Sequence, residues 1–187
     1  MTPSAFRPIF GALDTLVYCG GTAIRARRFR SSMSMGCAPC ANISEAGVEA
    51  VQNFLNEAGV PPKTITMYDG SGLSRHNLIT ASATAQLYEY MSKHRYAKDF
   101  YDALPVGGVD GTLRNRFKNT PAANNVRAKT GTINQVAALS GYVVSAAGER
   151  FVFSILVNNY PDDSLVRRRA IDDIVVLLAA CQARAEK

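Results

Sequence analysis

No run of about 18 apolar residues occurs in this 187-residue chain, so no membrane-spanning helix is expected. Only two histidines are present, His76 and His94, and neither stands at metal-ligand spacing. The four cysteines give a single C-x-x-C, Cys37 to Cys40, with no second pair behind it and no strand before it. A zinc site and a thioredoxin-like redox site each lack an essential half, and incidental thiols are the plainer reading. Basic excess is scarce where a nucleic acid would need it. Residues 1–43 hold five arginines against Asp14 alone, whereas the other 144 residues hold 16 bases and 14 acids. The formal charge of +6 therefore belongs largely to the head, and the near-neutral body offers no stripe to follow a phosphate backbone.

What the chain does have is ordinary globular material: 47% hydrophobic and 19% charged residues, enough for one domain with a core. Residues 1–43 show neither helical period nor strand alternation, and their composition is foreign to the rest of the chain. The apolar stretch "IFGALDTLVYC" opens at Pro8 and is broken by Asp14, so it makes no convincing export signal.

From Ser44 the pattern sharpens. Ser44 is a candidate N-cap, Val48, Val51, Leu55 and Ala58 recur at helical spacing, and Gly59 with Pro61-Pro62 predicts the stop. A strand is expected over 64–68, leading into "DGSGLSRHN". Thr80 is placed to cap a helix running to about His94, with Leu87, Tyr90 and Met91 on one side. "AKDFYDALP" reads as a short helix ended by Pro105. A long loop comes next, with one helical turn around 112–117. Strands are expected over 126–133, 136–145 and 149–159, the last two joined by an Ala146-Ala147-Gly148 turn. A closing helix over 164–183 carries Val166, Ala170, Ile174, Leu177, Leu178 and Cys181 along an apolar face. The fold class is α/β in the mixed, α+β sense: an antiparallel sheet flanked by helices.

"AKTGT", residues 128–132, combines residue types that suit an anionic peptide ligand. The Lys129 ammonium supplies positive charge beside a reacting serine or a carboxylate, and the Thr130 hydroxyl can hold that carboxylate. Gly131 has no Cβ, so an extended peptide can approach the strand edge as an added strand. The Thr132 amide can serve an oxyanion hole. The plainer reading of the same residues is an exposed edge-strand pair with Gly131 at a bulge.

"YDGSGLSRHN", then "LPVGGVDGTLRNR", then "KTGT" on a strand resemble, in order and spacing, the C-terminal part of the class C, low-molecular-mass penicillin-binding proteins. These are the D-alanyl-D-alanine carboxypeptidase/endopeptidases of the penicillin-binding protein 4 type. The resemblance runs from about Ser44 to the closing helix. It implies the C-terminal portion of the penicillin-binding, β-lactamase-like domain over 44–187. It also implies serine-type hydrolysis of peptidoglycan stem peptides with no metal or organic cofactor, β-lactams as inhibitors, and a periplasmic or extracytoplasmic workplace. By the same resemblance Lys129, Thr130 and Gly131 form the third motif, and Thr132 gives an oxyanion N–H. Ile133 and Asn134 line the side-chain subsite, Leu73 touches the stem side chain, and Arg75 meets a carboxylate on it, as in diaminopimelate-type relatives. Asp69 and Ser71 are expected to fix the turn and His76 to pack or cap rather than catalyse.

The resemblance stops at the nucleophile. No serine in the chain is followed three residues later by lysine, and no Ser-x-Asn triplet exists; where the triplet belongs, near Thr15 to Cys19, the chain reads "TLVYC". Residues 1–43 are therefore expected to be an anomalous head, out of frame or fused, and the body a truncated form lacking its nucleophile. The alternatives are a non-catalytic remnant or peptide-binding fragment and, with less support from the DGSGLS segment, a β-lactamase.

Overall fold

In a computed structural model, the structure describes residues 43–159 and 164–182. The head, with its C-x-x-C, lies outside the described residues, apart from Ile43 at its last position. The first helix, α1 (Ile43–Glu57), begins one residue before Ser44, the residue expected to precede it. Its end is as expected. Gly59 turns to a φ of 77°, and the amides of Gly59 and Val60 fold back to the carbonyls of Asn56 and Leu55.

The strand expected over 64–68 shrinks to β1 (Ile65–Thr66), which pairs antiparallel with an unforeseen two-residue strand, β2 (Leu78–Ile79). The pairing is short because the Tyr68 amide leaves the ladder and donates to the Asn77 side chain. "DGSGLSRHN" is therefore the tip of a hairpin, not a strand-to-helix turn. Thr80 then caps α2 (Ala81–Lys93), its hydroxyl accepting from the Ala83 amide at 3.1 Å. Buried residues on α2 are Ala83, Thr84, Tyr88 and Met91, so the face expected from Leu87, Tyr90 and Met91 is only partly right. The helix is two-sided: Tyr88 meets the sheet, while Ala83 and Leu87 join Leu55, Val60, Ile65 and Ile79 in a cluster under α1. Tyr90 packs edge-on against Phe54. A short helix, α3 (Ala97–Asp102), comes after it, and the helical turn in the long loop is one 3-10 turn, Gly111–Leu113.

The three later strands are β3 (Arg127–Ile133), β4 (Val136–Val144) and β5 (Arg150–Val157), in sheet order β3-β4-β5, all antiparallel. Register is one-to-one along β3 and β4, from Arg127 opposite Tyr142 to Ile133 opposite Val136. No bulge occurs at Gly131, which removes that part of the plainer reading. Helices α2 and α4 (Ser164–Ala180) cover opposite faces of the sheet. Leu139, Val143, Phe151 and Phe153 meet Ile171, Val175 and Ala179 of α4 in the largest core cluster. Tyr142 and Val152 meet Tyr88 and Leu104 on the other face.

The face of α4 that is buried is not the one its sequence suggested. Val166, Ala170, Ile174 and Leu177 are exposed, and the helix turns Arg167, Ile171, Val175 and Ala179 inward. Both stripes repeat at helical spacing, and the sheet takes the second. Leu178 is half-buried beside it.

Candidate active site

The Lys129 strand is an edge with a covered part and an open part. Its first residues are covered: Ala128 donates its amide to the Pro105 carbonyl, and Val106 bridges Arg127. Beyond Ala128, among the described residues, no backbone pairs with that side of β3. Peptide groups alternate along a strand. The Ala128 amide points outward, so those of Thr130 and Thr132 do too, and both lie on the open stretch. An extended ligand could add here as a fourth strand, with the Thr132 N–H among the free donors.

Side chains straddle this edge. Register puts Arg127, Lys129 and Gly131 on the α2 side of the sheet, because Tyr142, opposite Arg127, packs on Tyr88. Thr130 lies opposite Leu139, on the α4 side. Its hydroxyl donates to Thr112 Oγ1 at 3.0 Å, so the "GGVDGT" segment orients it. The Lys129 ammonium donates to the Thr130 carbonyl at 2.6 Å, on the open edge itself. A strand added along this edge would have to displace this contact. Ser140 and Ser154 continue the row across the sheet from Lys129, and their hydroxyls bond each other at 2.9 Å. Sequence reasoning missed this polar row, because a serine in a strand carries no local signal of what lies opposite.

Gly141 sits opposite Ala128 on β4. A Cβ there would lie 2.1 Å from the Arg127 carbonyl oxygen and 2.6 Å from Ala128 Cα, so only glycine lets β3 come this close. The 105–126 loop is equally constrained. Phe117 adopts a φ of 66° while its ring stays in the core, and Arg116 clamps Asp172 of α4 through Nε at 3.0 and 3.2 Å.

The hairpin tip is built around Asn77, which the sequence did not single out. Its Oδ1 accepts from the amides of Tyr68 and Asp69 at 2.7 and 3.3 Å, and its Nδ2 donates to the Asp69 carbonyl at 2.9 Å. Asp69 and Ser71 do fix the turn. Asp69 Oδ1 accepts from the Ser71 hydroxyl and amide at 2.8 and 3.0 Å, and the Ser71 hydroxyl accepts from the Leu73 amide. The Ser71 hydroxyl, then its amide, holds the Asp69 carboxyl below its ordinary range. This base presents two exposed side chains: Leu73, which is 75% exposed, and Arg75. His76 packs its ring on Tyr68, centroids 5.4 Å apart.

Lys129, Thr130, Gly131 and Thr132 thus stand together on one edge, with Ile133 ending the strand and Asn134 exposed in the turn after it. Leu73 and Arg75 stand together on the hairpin tip. Among the described residues no hydrogen bond, ion pair or ring contact joins tip to edge, so the two groups stand apart. No cluster of His, Cys, Asp and Glu suited to a metal occurs among the described residues.

The D-Ala-D-Ala carboxypeptidase 3 (S13) family matches residues 35–181. A D-alanyl-D-alanine carboxypeptidase of Actinomadura sp. (strain R39) is 41% identical over 121 residues, which is 62% of this chain and 22% of that protein. The D-alanyl-D-alanine carboxypeptidase DacB of Haemophilus influenzae is 34% identical over 123 residues, 65% of this chain and 26% of that one. A crystal structure of penicillin binding protein 4 from H. influenzae, complexed with a β-lactam, superposes with a TM-score of 0.62 at 30% identity, covering 70% of this chain and 33% of that one. The chain thus spans about a quarter of the length of the curated relatives it matches. The TLA-1 β-lactamase shares the fold alone, at 19% identity and a TM-score of 0.53.

Proposed function

This chain belongs to the D-Ala-D-Ala carboxypeptidase 3 (S13) family, and we propose that it carries the ligand-holding walls of a serine-type D-Ala-D-Ala peptidase acting on peptidoglycan stem peptides. The observation that carries the reading is the β3 edge, which among the described residues is covered as far as Ala128 and open from Lys129 onward. A stem peptide lies antiparallel along it. Its terminal carboxylate meets the Lys129 ammonium and the Thr130 hydroxyl, and its backbone pairs with the outward groups of Thr130 and Thr132. Gly131 leaves room for the approach. The carbonyl to be attacked then sits near the Thr132 N–H, which stabilises negative charge as it develops on that oxygen. Leu73, Arg75, Ile133 and Asn134 read the stem side chain, and the Arg75 guanidinium suits a carboxylate there, as on diaminopimelate.

The chemistry in this family's motif set needs a serine that attacks the D-Ala-D-Ala carbonyl, expels the terminal D-Ala and is freed from the resulting ester by water. This chain holds neither S-x-x-K nor Ser-x-Asn. On its own it therefore binds such peptides, and β-lactams as their mimics, without forming an acyl-enzyme. The family's setting is the cell wall, so the workplace is extracytoplasmic; among the described residues no helix is long and apolar enough to cross a membrane.

Two measurements test this. Titration of an N-acylated D-Ala-D-Ala tripeptide should shift the amide resonances of Thr130 and Thr132. Lys129→Ala, which removes a charge-assisted hydrogen bond, should weaken binding roughly 10- to 100-fold. Equal binding by the variant would overturn the carboxylate role. Incubation with penicillin followed by intact-mass analysis should give no adduct, and a covalent mass on any serine would show that the chain has a nucleophile of its own.

A further inference from the structure

A hydroxyl carries two lone pairs but only one proton, so the direction of each bond at the open stretch of β3 decides what it can offer a ligand. The Thr130 hydroxyl donates to Thr112 Oγ1 at 3.0 Å, and the Lys129 ammonium donates to the Thr130 carbonyl at 2.6 Å. Thr112 is the acceptor in the first of these bonds. Among the described residues no group accepts the Thr112 proton, and the residue is exposed where Thr130 is half-buried. The pair of hydroxyls therefore has an uncommitted donor, and it belongs to Thr112.

The segment that delivers Thr112 is fixed by its own bonds. Asp110 Oδ1 accepts from the Val106 amide at 2.6 Å. The Leu113 amide donates to the Asp110 carbonyl at 3.1 Å, and the Gly108 amide to the Leu113 carbonyl at 3.0 Å. Leu113 is fully buried and ties the 3-10 turn to the core. Gly111, at a φ of 50°, lies so near Pro105 that a Cβ would stand 3.1 Å from its ring. The same segment closes the strand edge, because the Pro105 carbonyl takes the Ala128 amide and Val106 bridges Arg127. A peptide lying antiparallel to β3 runs toward this closure and brings its C-terminus to it, beside Thr112.

Resting on the peptide-binding reading of β3, we propose that Thr112 is a further binding residue for the terminal carboxylate. The Thr112 and Thr130 hydroxyls give up the bond between them, and each donates to the carboxylate next to the Lys129 ammonium. A carboxylate is an acceptor only and has two oxygens, so two neighbouring hydroxyl protons match it where Thr130 alone supplies one. The bond given up is between neutral groups, and the bonds formed are charge-assisted and stronger. An amidated C-terminus offers a single neutral acceptor, so the pair favours a free acid.

The test titrates the full chain with the N-acylated D-Ala-D-Ala tripeptide, following amide resonances, in a cycle of Thr112→Val, Thr130→Val and the double variant, with Lys129→Ala beside it. Thr112 is exposed, so its variants should melt with the parent. Thr112→Val should weaken binding about tenfold, Thr112→Ser should recover most of it, and Thr112→Val should still cost about threefold where Thr130 is already valine. A loss that vanishes in the Thr130→Val background would make Thr112 a positioning residue for Thr130 and overturn the direct contact. Unchanged binding by Thr112→Val, or equal loss in Thr112→Ser, would overturn the inference while Lys129→Ala still weakens binding and upholds the β3 reading. A parent that binds no tripeptide, or a Lys129→Ala variant that binds as the parent does, would instead bring down the β3 reading and this inference with it.

Discussion

Replacing Gly141 by alanine tests the central packing feature of the site. The added Cβ would stand 2.1 Å from the Arg127 carbonyl oxygen and 2.6 Å from both Ala128 Cα and Ala128 Cβ. Ordinary contacts begin near 3.4 Å, so β3 must retreat by about 1 Å or more, and the obstacle is backbone, which no rotamer change relieves. Overpacking of this kind costs about 1–3 kcal/mol, and loosening a ladder hydrogen bond adds about 1 kcal/mol. A total of about 3 kcal/mol lowers the melting temperature of a chain this size by roughly 6–12 °C. Urea unfolding followed by circular dichroism measures it, with a reduced midpoint at unchanged m-value. The displaced strand carries Lys129 with it, so tripeptide affinity should fall in the same variant. Gly47→Ala in α1 is the control: nothing lies within 4 Å of its would-be Cβ, and a helix-interior glycine replaced by alanine gains about 0.5–1 kcal/mol. If Gly141→Ala unfolds within about 0.5 kcal/mol of the parent, the close β3–β4 approach is not what glycine is there to permit.

The hairpin tip and its helix offer further tests. Asn77→Ala orphans the amides of Tyr68 and Asp69 and should cost about 2–3 kcal/mol. Amide exchange across 68–75 should rise further than elsewhere; a uniform rise would refute the keystone role. Thr80→Ala removes the α2 cap and should cost about 1 kcal/mol, with Thr80→Ser recovering most of it; equal loss in both variants would mean that the hydroxyl is not the cap. Because the Asp69 carboxyl titrates lower in the folded chain than its ordinary 3.8, its contribution is present above about pH 4 and is lost as pH falls through the lower folded value. Ser71 and Leu73 amide shifts should report that loss before global unfolding. In Asp69→Asn they should stay flat, and a step surviving there would assign the titration to another group.

Much of the candidate site was legible because its signals are local. The Lys129-Thr130-Gly131-Thr132 run sits on the strand expected for it, and Asp69 and Ser71 fix their turn through bonds two residues long. What escaped was long-range. Asn77 acts across eight and nine residues, Thr112 reaches Thr130 across eighteen, and Ser140 meets Ser154 only through strand register. None of these pairings leaves a trace in the residues immediately around it. The strand over 64–68 was over-read for a related reason: Met67 and Tyr68 have strand-like neighbours, but Asn77 takes the amide that would have extended the ladder.

By itself the sequence determined where helices and strands begin and end at Gly59, Thr80, Pro105 and Gly148, because caps and turns depend on a few adjacent residues and their φ/ψ preferences. It also determined the family and the order of its motifs. Tertiary structure alone decided which of two equally periodic apolar stripes of α4 would be buried. The sheet beneath took Ile171, Val175 and Ala179, and left Val166, Ile174 and Leu177 to solvent. It also decided that, among the described residues, β3 is covered only as far as Ala128 and open from Lys129, since an edge is a property of what lies beside a strand, and no residue within the strand encodes its neighbour.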